Sequence, residues 1–262
     1  MRLTDVRRAC LECFGALARS APRALLLAGS ALSLAACSFL TCHERTQVYR
    51  YQQVVASPIR TDQDRTMDAA RHPVEFLAFT RVETGMRVLD VSAGAGYTSQ
   101  LLALAVGDGG RVFAQSPKPG ERLTERLVQH PQTNLTVVAL PFENPVPPGE
   151  AGFDLITIVL NYHDISYLPV DRARMNANLF AALKRGGHLV IIDHSARSGS
   201  GISDGKTLHR IDEAVVLSDE KAAGFELEAE SDYLRNPADA RDQVSSGETV
   251  VSDKFALRFV KP

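Results

Sequence analysis

Four consecutive polar or aromatic residues, Asn161 to Asp164 (NYHD), follow the most apolar stretch of the sequence, residues 153–160 (FDLITIVL). An unbroken apolar run of this length predicts a central strand buried on both faces. Histidine can act as a general base near neutral pH, and a neighbouring carboxylate can hold its tautomer. We therefore predict Tyr162, His163 and Asp164 as catalytic residues. The alternative is that Asn161 and Asp164 only satisfy loop amides and that His163 is half-exposed.

A second chemically informative segment spans residues 88–97 (VLDVSAGAGY), where a short apolar run leads through small residues into a helical pattern. In a doubly wound sheet, such a turn lies at the carboxyl end of a strand, beside the crevice where ligands bind. Gly94 and Gly96 lack a Cβ atom, so a ligand can approach the backbone. Amides at the following helix start can hold a carboxylate. For Asp90, the alternative is an acid that only caps the amides of the turn.

Short apolar runs alternate with helical stretches along residues 59–262, which predicts a mostly parallel sheet with helices on both faces. Two successive strands at the end of the chain, without a helix between them, predict an antiparallel edge pair. The fold class is therefore α/β and Rossmann-like, with about seven strands. Predicted strands cover residues 86–91, 111–115, 135–140, 153–160, 188–192, 225–229 and 254–260. Predicted helices cover 66–80 (interrupted at 72–73), 97–106, 121–129, 171–184 and 212–223, and the glycine pair at 186–187 is predicted to end the helix 171–184.

The composition excludes several classes of protein. The chain has 262 residues, 45% of them apolar, which suffices for one domain with a sizeable core. A formal net charge of −2 gives no electrostatic reason to expect a nucleic-acid partner. The four cysteines show no metal-ligand spacing, and the histidines form no helix-spaced pair. We accordingly predict no metal site.

The first 36 residues differ from the rest. Five arginines stand against two acidic residues, and an apolar core of thirteen residues begins at Ala24. This pattern is typical of a signal peptide, and residues 34–37 (LAAC) resemble the lipoprotein processing site of bacteria. The resemblance implies cleavage before Cys37 and lipidation of that cysteine, with residues 37–58 as an irregular tether. The protein would then be anchored to a membrane of the cell envelope and face the periplasm. The alternative is a cytoplasmic protein with an uncleaved leader or an incorrectly assigned start.

Several segments together resemble the class I S-adenosylmethionine-dependent methyltransferases. They are Asp90 to Gly96, the strand and loop FDLITIVLNYHD, the segment KRGGHLVIIDH and the final strand pair. Within that group, NYHD, TLHRID and FALRFVKP are similar to a bacterial subgroup of predicted methyltransferases. A dinucleotide-binding protein would instead carry G-x-G-x-x-G, but Ser99 stands where its third glycine should be.

The resemblance implies S-adenosylmethionine as cofactor, an enzymatic methyl transfer, and a small-molecule acceptor near the end of the central strand. It places the cofactor against nine residues: Asp90, Ser92, Gly94, Gly96, Tyr97, Gln115, Ser116, Phe142 and Asn161. Two positions depart from the family pattern. Ser92 stands where glycine is common, and Gln115 and Ser116 stand where an acid usually binds the ribose. Core packing is an equal interpretation of Phe142.

A second hypothesis follows from these departures and from the leader. S-adenosylmethionine is made in the cytoplasm, whereas the leader predicts export. The chain is therefore either a methyltransferase acting on an unidentified small molecule, or an exported binding protein that keeps the fold without catalysis or with another ligand.

Overall fold

The computed structural model describes residues 45–245 and 251–262. The predicted signal peptide, the lipoprotein site and Cys37 lie outside the described residues. Residues 45–55 are helical, so the prediction of an irregular tether is wrong for this part. Tyr51 and Val54 lie on one helical face and are buried, and the Tyr51 hydroxyl donates to the carbonyl of Val82 at 2.9 Å. Residues from Tyr51 onward form one compact unit.

Seven strands form one sheet in the order β3-β2-β1-β4-β5-β7-β6, which confirms the predicted fold class. Strands β1 to β5 are parallel, whereas β7 pairs antiparallel with both β5 and β6. The strands are β1 (Arg87–Val91), β2 (Arg111–Ser116), β3 (Leu135–Ala139), β4 (Phe153–Val159), β5 (Leu183–His194), β6 (Glu226–Ser231) and β7 (Lys254–Val260).

Helices cover both faces of the sheet. They are α1 (Asp62–Arg71), α2 (Pro73–Thr80), α3 (Tyr97–Val106), α4 (Glu121–Gln129), α5 (Tyr162–Tyr167), α6 (Arg172–Ala182), α7 (Gly205–Leu208) and α8 (Glu213–Ala222). Alternate residues of the central strands enter two separate cores. Val88 and Leu155 pack with α2, α3 and α4, whereas Leu89 and Ile156 pack with α5, α6 and α8. This double burial explains why six of the eight residues at 153–160 are apolar.

No helix among the described residues is long and apolar enough to cross a membrane.

The structure corrects the end of the helix predicted over residues 171–184. Asp171 caps the helix as predicted, accepting from the amide of Arg174 at 3.0 Å. However, α6 ends at Ala182, and the two glycines at 186–187 lie inside β5. The pairing of β5 with β4 is irregular at its start, and a Cβ atom on Gly187 would lie 2.9 Å from the carbonyl oxygen of Lys184. The glycine pair therefore serves a bent strand rather than a helix end.

Helix α1 is tied to the glycine-containing turn after β1 by a buried ion pair. The Asp64 carboxylate accepts two hydrogen bonds of 2.7 Å from the Arg126 guanidinium. Arg126 belongs to α4 and also donates to the carbonyl of Ala95, within the turn, at 2.7 Å. The side chain of Asp64 is 1% exposed. One guanidinium thus joins α1, α4 and the turn.

This ion pair predicts a specific acid sensitivity. Burial by itself raises the pKa of Asp64, but hydrogen bonds from Arg126 and Thr61 and the charge of Arg126 lower it to about 2. The folded-state pKa lies below the unfolded one, so the stabilisation is complete above about pH 4 and is lost as the pH falls toward about 2. We expect Asp64→Asn to lower the free energy of unfolding by about 2 kcal/mol at neutral pH.

Urea denaturation at several pH values measures this effect. In Asp64→Asn, the loss of stability between about pH 4 and pH 2 should be smaller than in the parent chain. Asp62→Asn, an exposed position in the same first turn of α1, is the matched control and should leave both quantities nearly unchanged. Equal stability of the two variants at neutral pH would contradict the interpretation.

Candidate active site

The turn between β1 and α3 is open at one glycine and filled at the other. Ser92, Gly94 and Gly96 all have left-handed backbone conformations, with φ of 60°, 55° and 84°. A Cβ atom on Gly94 would meet nothing within 4 Å, whereas one on Gly96 would lie 2.7 Å from the Cδ1 atom of Leu123. Gly96 is therefore needed for packing against α4, and the space for a ligand lies at Gly94.

Gln115 cross-links the ends of three parallel strands. Its side chain is fully buried, and its Oε1 atom accepts from the amide of Ser92 at 3.0 Å. Its Nε2 atom donates to the carbonyl of Leu140 at 2.6 Å. A carboxylate in this place has no proton to donate to Leu140, which explains why glutamine stands here. Both ends of the Gln115 amide are thus occupied, whereas the Ser116 hydroxyl has no partner among the described residues.

We expect Gln115→Leu to lower the free energy of unfolding by about 1 to 3 kcal/mol, because it leaves two part-buried backbone groups unpaired. Gln115→Glu should also destabilise the protein, since it keeps the acceptor for Ser92 but loses the donor to Leu140. Chemical denaturation measures both variants against Ser116→Ala, the neighbouring control, which should remain within about 0.5 kcal/mol of the parent. A Gln115→Glu variant as stable as the parent would refute the cross-link.

Asp90 lies in the interior, with its two carboxylate oxygens occupied. The hydroxyl of Ser99 donates to it at 2.5 Å and that of Thr157 at 2.8 Å. Burial raises the pKa of Asp90 to about 6, although these hydroxyl groups act in the opposite direction. Asp90 therefore holds α3 and β4 onto β1, and its partners are hydroxyl groups rather than turn amides. Its assignment to the cofactor stays a prediction.

Of the other predicted site residues, Ser92 and Asn161 contact each other, whereas Tyr162 packs in the core and Phe142 against it. The Ser92 hydroxyl donates to Asn161 Oδ1 at 2.5 Å, so the loops after β1 and β4 are in contact. Tyr162 is fully buried, and its hydroxyl donates to Asp219 at 3.0 Å and accepts from Asn176 at 2.8 Å. This places Tyr162 between α6 and α8. Phe142 packs against the core on the same face of the sheet, in agreement with the packing interpretation.

His163 lies between two carboxylates. Its Nδ1 atom is 2.6 Å from Asp193 Oδ1, and its Nε2 atom is 3.3 Å from Asp164 Oδ1. Burial by itself lowers the pKa of His163, but hydrogen bonds to Asp164 and Asp193 and their charges raise it to about 9. In the absence of a bound cation this arrangement favours the protonated imidazole, whereas a general base must be free to accept a proton.

Two further histidines surround His163, although they are distant in sequence. The ring centroids of His194 and His209 lie 5.8 Å and 5.5 Å from that of His163. Burial lowers the pKa of His194 to about 2, with Lys254 contributing, so His194 is neutral. His209 Nδ1 lies 3.2 Å from the same Asp164 oxygen that His163 approaches. The predicted pair His163–Asp164 is thus part of a larger group.

A narrow pocket of about 20 Å³ adjoins the start of α3 and the ends of β4 and β5. Arg71 lies over the ring of Tyr97 at 4.9 Å and has no carboxylate or carbonyl partner among the described residues. The buried hydroxyl of Tyr233 also lacks a partner there. The pocket is lined by Ala70, Arg71, Pro73, Phe76, Tyr97, Thr98, Val159, Leu160, Ile192, Tyr233, Leu234 and Lys254.

Sequence reasoning missed Arg71, Tyr233 and Lys254, because they come from three distant segments and belong to no motif. The only sequence signal is their position. Arg71 ends the helix before the His72–Pro73 break, and Lys254 begins the last strand.

Comparison with known families shows to which family the chain belongs. A model of the family described as protein-L-isoaspartate (D-aspartate) O-methyltransferase matches residues 36–197, more than half of the chain. The chain belongs to this methyltransferase family. Membership supports S-adenosylmethionine as the cofactor, in agreement with the sequence resemblance. No curated protein sequence matches the chain.

Solved structures show the same fold at low sequence identity. An S-adenosylmethionine-dependent methyltransferase from Aquifex aeolicus is 19% identical, with a TM-score of 0.54, over 72% of this chain and 88% of that one. A putative sarcosine dimethylglycine methyltransferase from Galdieria sulphuraria is 17% identical, with a TM-score of 0.56, over 82% and 98%. A putative methyltransferase from Haloferax volcanii, in complex with the Trm112 activator, is 17% identical, with a TM-score of 0.56, over 76% and 94%.

Proposed function

We propose that this member of the methyltransferase family transfers a methyl group from S-adenosylmethionine to a small molecule at the carboxyl ends of β4 and β5. The observation that carries the proposal is the adjacency of two features around α3. The turn before it is open at Gly94, and the pocket at its first residues contains the cation Arg71, which has no hydrogen-bonded carboxylate among the described residues. A nucleoside and a carboxylate, the two ends of the cofactor, suit these two places.

The amino-acid end of the cofactor fits beside Arg71. Burial lowers the pKa of Arg71, and a charged hydrogen bond to a carboxylate would compensate that cost. Tyr97 holds the guanidinium from one side, and its own hydroxyl donates to Asp68 at 2.7 Å. Tyr97 is therefore immobilised and fixes the position of Arg71.

The adenosine end fits the opposite side of the same turn. Because the amide of Gln115 is fully occupied, Ser116 is the side chain at the end of β2 that can accept or donate a hydrogen bond to a ribose hydroxyl. A neutral hydroxyl forms a weaker bond than a carboxylate would.

The bound cofactor supplies a methyl group on a positively charged sulfur. As the bond from sulfur to methyl breaks, a bond from the acceptor to methyl forms, so alignment is the main requirement. The apolar side chains of Phe76, Val159 and Ile192 line the pocket and exclude water. His163 is held between Asp193 and Asp164, so we assign it a positioning role rather than that of a base.

The methyl acceptor of this chain is the second question. The family is named after the carboxyl groups of isoaspartyl and D-aspartyl residues in proteins. For this chain we propose a small molecule rather than a protein as the methyl acceptor.

Calorimetry on the full chain tests the cofactor site. We expect Arg71→Met to weaken binding of S-adenosylhomocysteine by about 10- to 100-fold, the value of a charged hydrogen bond. Binding of 5′-methylthioadenosine, which lacks the amino-acid carboxylate, should be unchanged. The exposed Arg122→Met is the matched control and should bind both compounds like the parent.

Each result decides between the hypotheses. If Arg71→Met weakened the binding of both compounds equally, Arg71 would not be the residue that binds the carboxylate of the cofactor. No binding of S-adenosylhomocysteine by the parent chain would overturn the methyltransferase proposal and favour a binding protein for another ligand.

We also propose that the chain is a lipoprotein of the cell envelope facing the periplasm, on the pattern of residues 1–37. We expect mass spectrometry of the protein from membranes to show a chain that begins at Cys37 and carries lipid. Cys37→Ala should abolish the lipid mass, whereas the control Cys42→Ala should retain it. An unmodified chain beginning at Met1 would contradict this proposal.

A further inference from the structure

His163, Asp164 and His209 place three possible metal-binding atoms within 4.8 Å of one another, although 45 positions separate Asp164 from His209 in sequence. We refer to these three residues as the His–Asp–His cluster. We propose that the cluster binds a divalent transition-metal ion such as Zn²⁺, Co²⁺ or Fe²⁺. Two imidazole nitrogens and one carboxylate oxygen are a common donor set for these ions.

The distances suit such an ion without large movement. Asp164 Oδ1 lies 3.3 Å from His163 Nε2 and 3.2 Å from His209 Nδ1, and all three candidate ligand atoms lie within 4.8 Å of one another. Bonds of about 2.0 to 2.2 Å in tetrahedral geometry place neighbouring ligand atoms roughly 3.3 Å apart. Two of the three separations already have this value.

The surroundings of His163 match the support that metal-bound histidines receive. Asp193 Oδ1 lies 2.6 Å from His163 Nδ1, so the other nitrogen, Nε2, faces the cluster. Asp193 is itself held by the amides of His163 and His194, each at 2.8 Å. A carboxylate that orients a histidine from behind is the usual second partner of such a ligand.

The backbone at His209 is fixed by the contacts of its neighbour Arg210. Arg210 is fully buried and donates to the carboxylate of Asp239 at 2.7 Å and to the carbonyl of Ser195 at 3.0 Å. The carbonyl of His209 also accepts from the hydroxyl of Ser245 at 2.9 Å. The His209 ring is therefore presented to Asp164 by a fixed backbone, although the ring itself is partly exposed.

The cluster is also open to a further ligand. The side chains of Asp164 and His209 are 29% and 40% exposed, whereas His163 is 4% exposed. Metal sites with three protein ligands and one open side hold water or a substrate oxygen in the remaining position. The ion would therefore lie where an oxygen-containing acceptor can reach it. The binding claim itself does not depend on the proposed methyl transfer.

The competing interpretation is a set of hydrogen bonds in which both histidines merely donate to Asp164. Metal titration of the chelator-treated full chain separates the two. We expect one Co²⁺ per chain, with visible absorption bands of a nitrogen- and oxygen-ligated ion, and displacement by Zn²⁺. His209→Ala should abolish the bands, and because His209 is partly exposed, this change should leave the circular dichroism spectrum unchanged.

Two further variants sharpen the test. Asp193→Asn keeps the size of the side chain but weakens its hold on His163, and should reduce Co²⁺ affinity by about 10- to 100-fold. The double variant His43→Ala/His130→Ala removes two histidines outside the cluster and should bind like the parent. Absence of Co²⁺ bands, equal binding by His209→Ala, or an intense thiolate band from the cysteines would overturn the proposal.

Discussion

The parallel pairing of β4 with β1 on one side and with β5 on the other is the constraint on which the whole site depends. Parallel strands bring their carboxyl ends to one edge of the sheet, so residues that follow three different strands become neighbours there. The Ser92–Asn161 hydrogen bond and the pair His163–Asp193 are direct consequences of that arrangement. Without the parallel register, the turn at Gly94 and the carboxylates around His163 would not lie at the same edge of the sheet.

The residues that sequence reasoning located are those whose signal is local. The apolar run before Asn161 and the small-residue turn after β1 each indicate a strand end, and the fold places both at the same edge. The tail without an intervening helix likewise indicated the antiparallel β7. Arg71 and Lys254 have no such signal, because their importance arises only when α1 and β7 fold against that edge.

The glycine pair at 186–187 was misinterpreted from composition, and the reason for a glutamine at position 115 was not evident from the sequence. The glycine pair at 186–187 has the composition of a helix end, but the irregular pairing of β5 with β4 uses it inside a strand. Gln115 occupies a position at which the family usually has an acid nearby, yet its amide is required as donor and acceptor at once. In both cases tertiary hydrogen bonding decides a role that composition alone cannot indicate.

The charged groups at the carboxyl edge of the sheet differ between the side of α1 and the side of α5. On the side of α1, Arg71 lacks a carboxylate partner among the described residues, whereas on the side of α5 two carboxylates, Asp164 and Asp193, flank a single buried histidine. The first side has unmatched positive charge and suits an anionic group, and the second has excess negative charge and suits a cation. Methyl transfer from a sulfonium requires alignment more than proton transfer. A bound ion that orients an acceptor oxygen would therefore serve this reaction better than a histidine acting as a base.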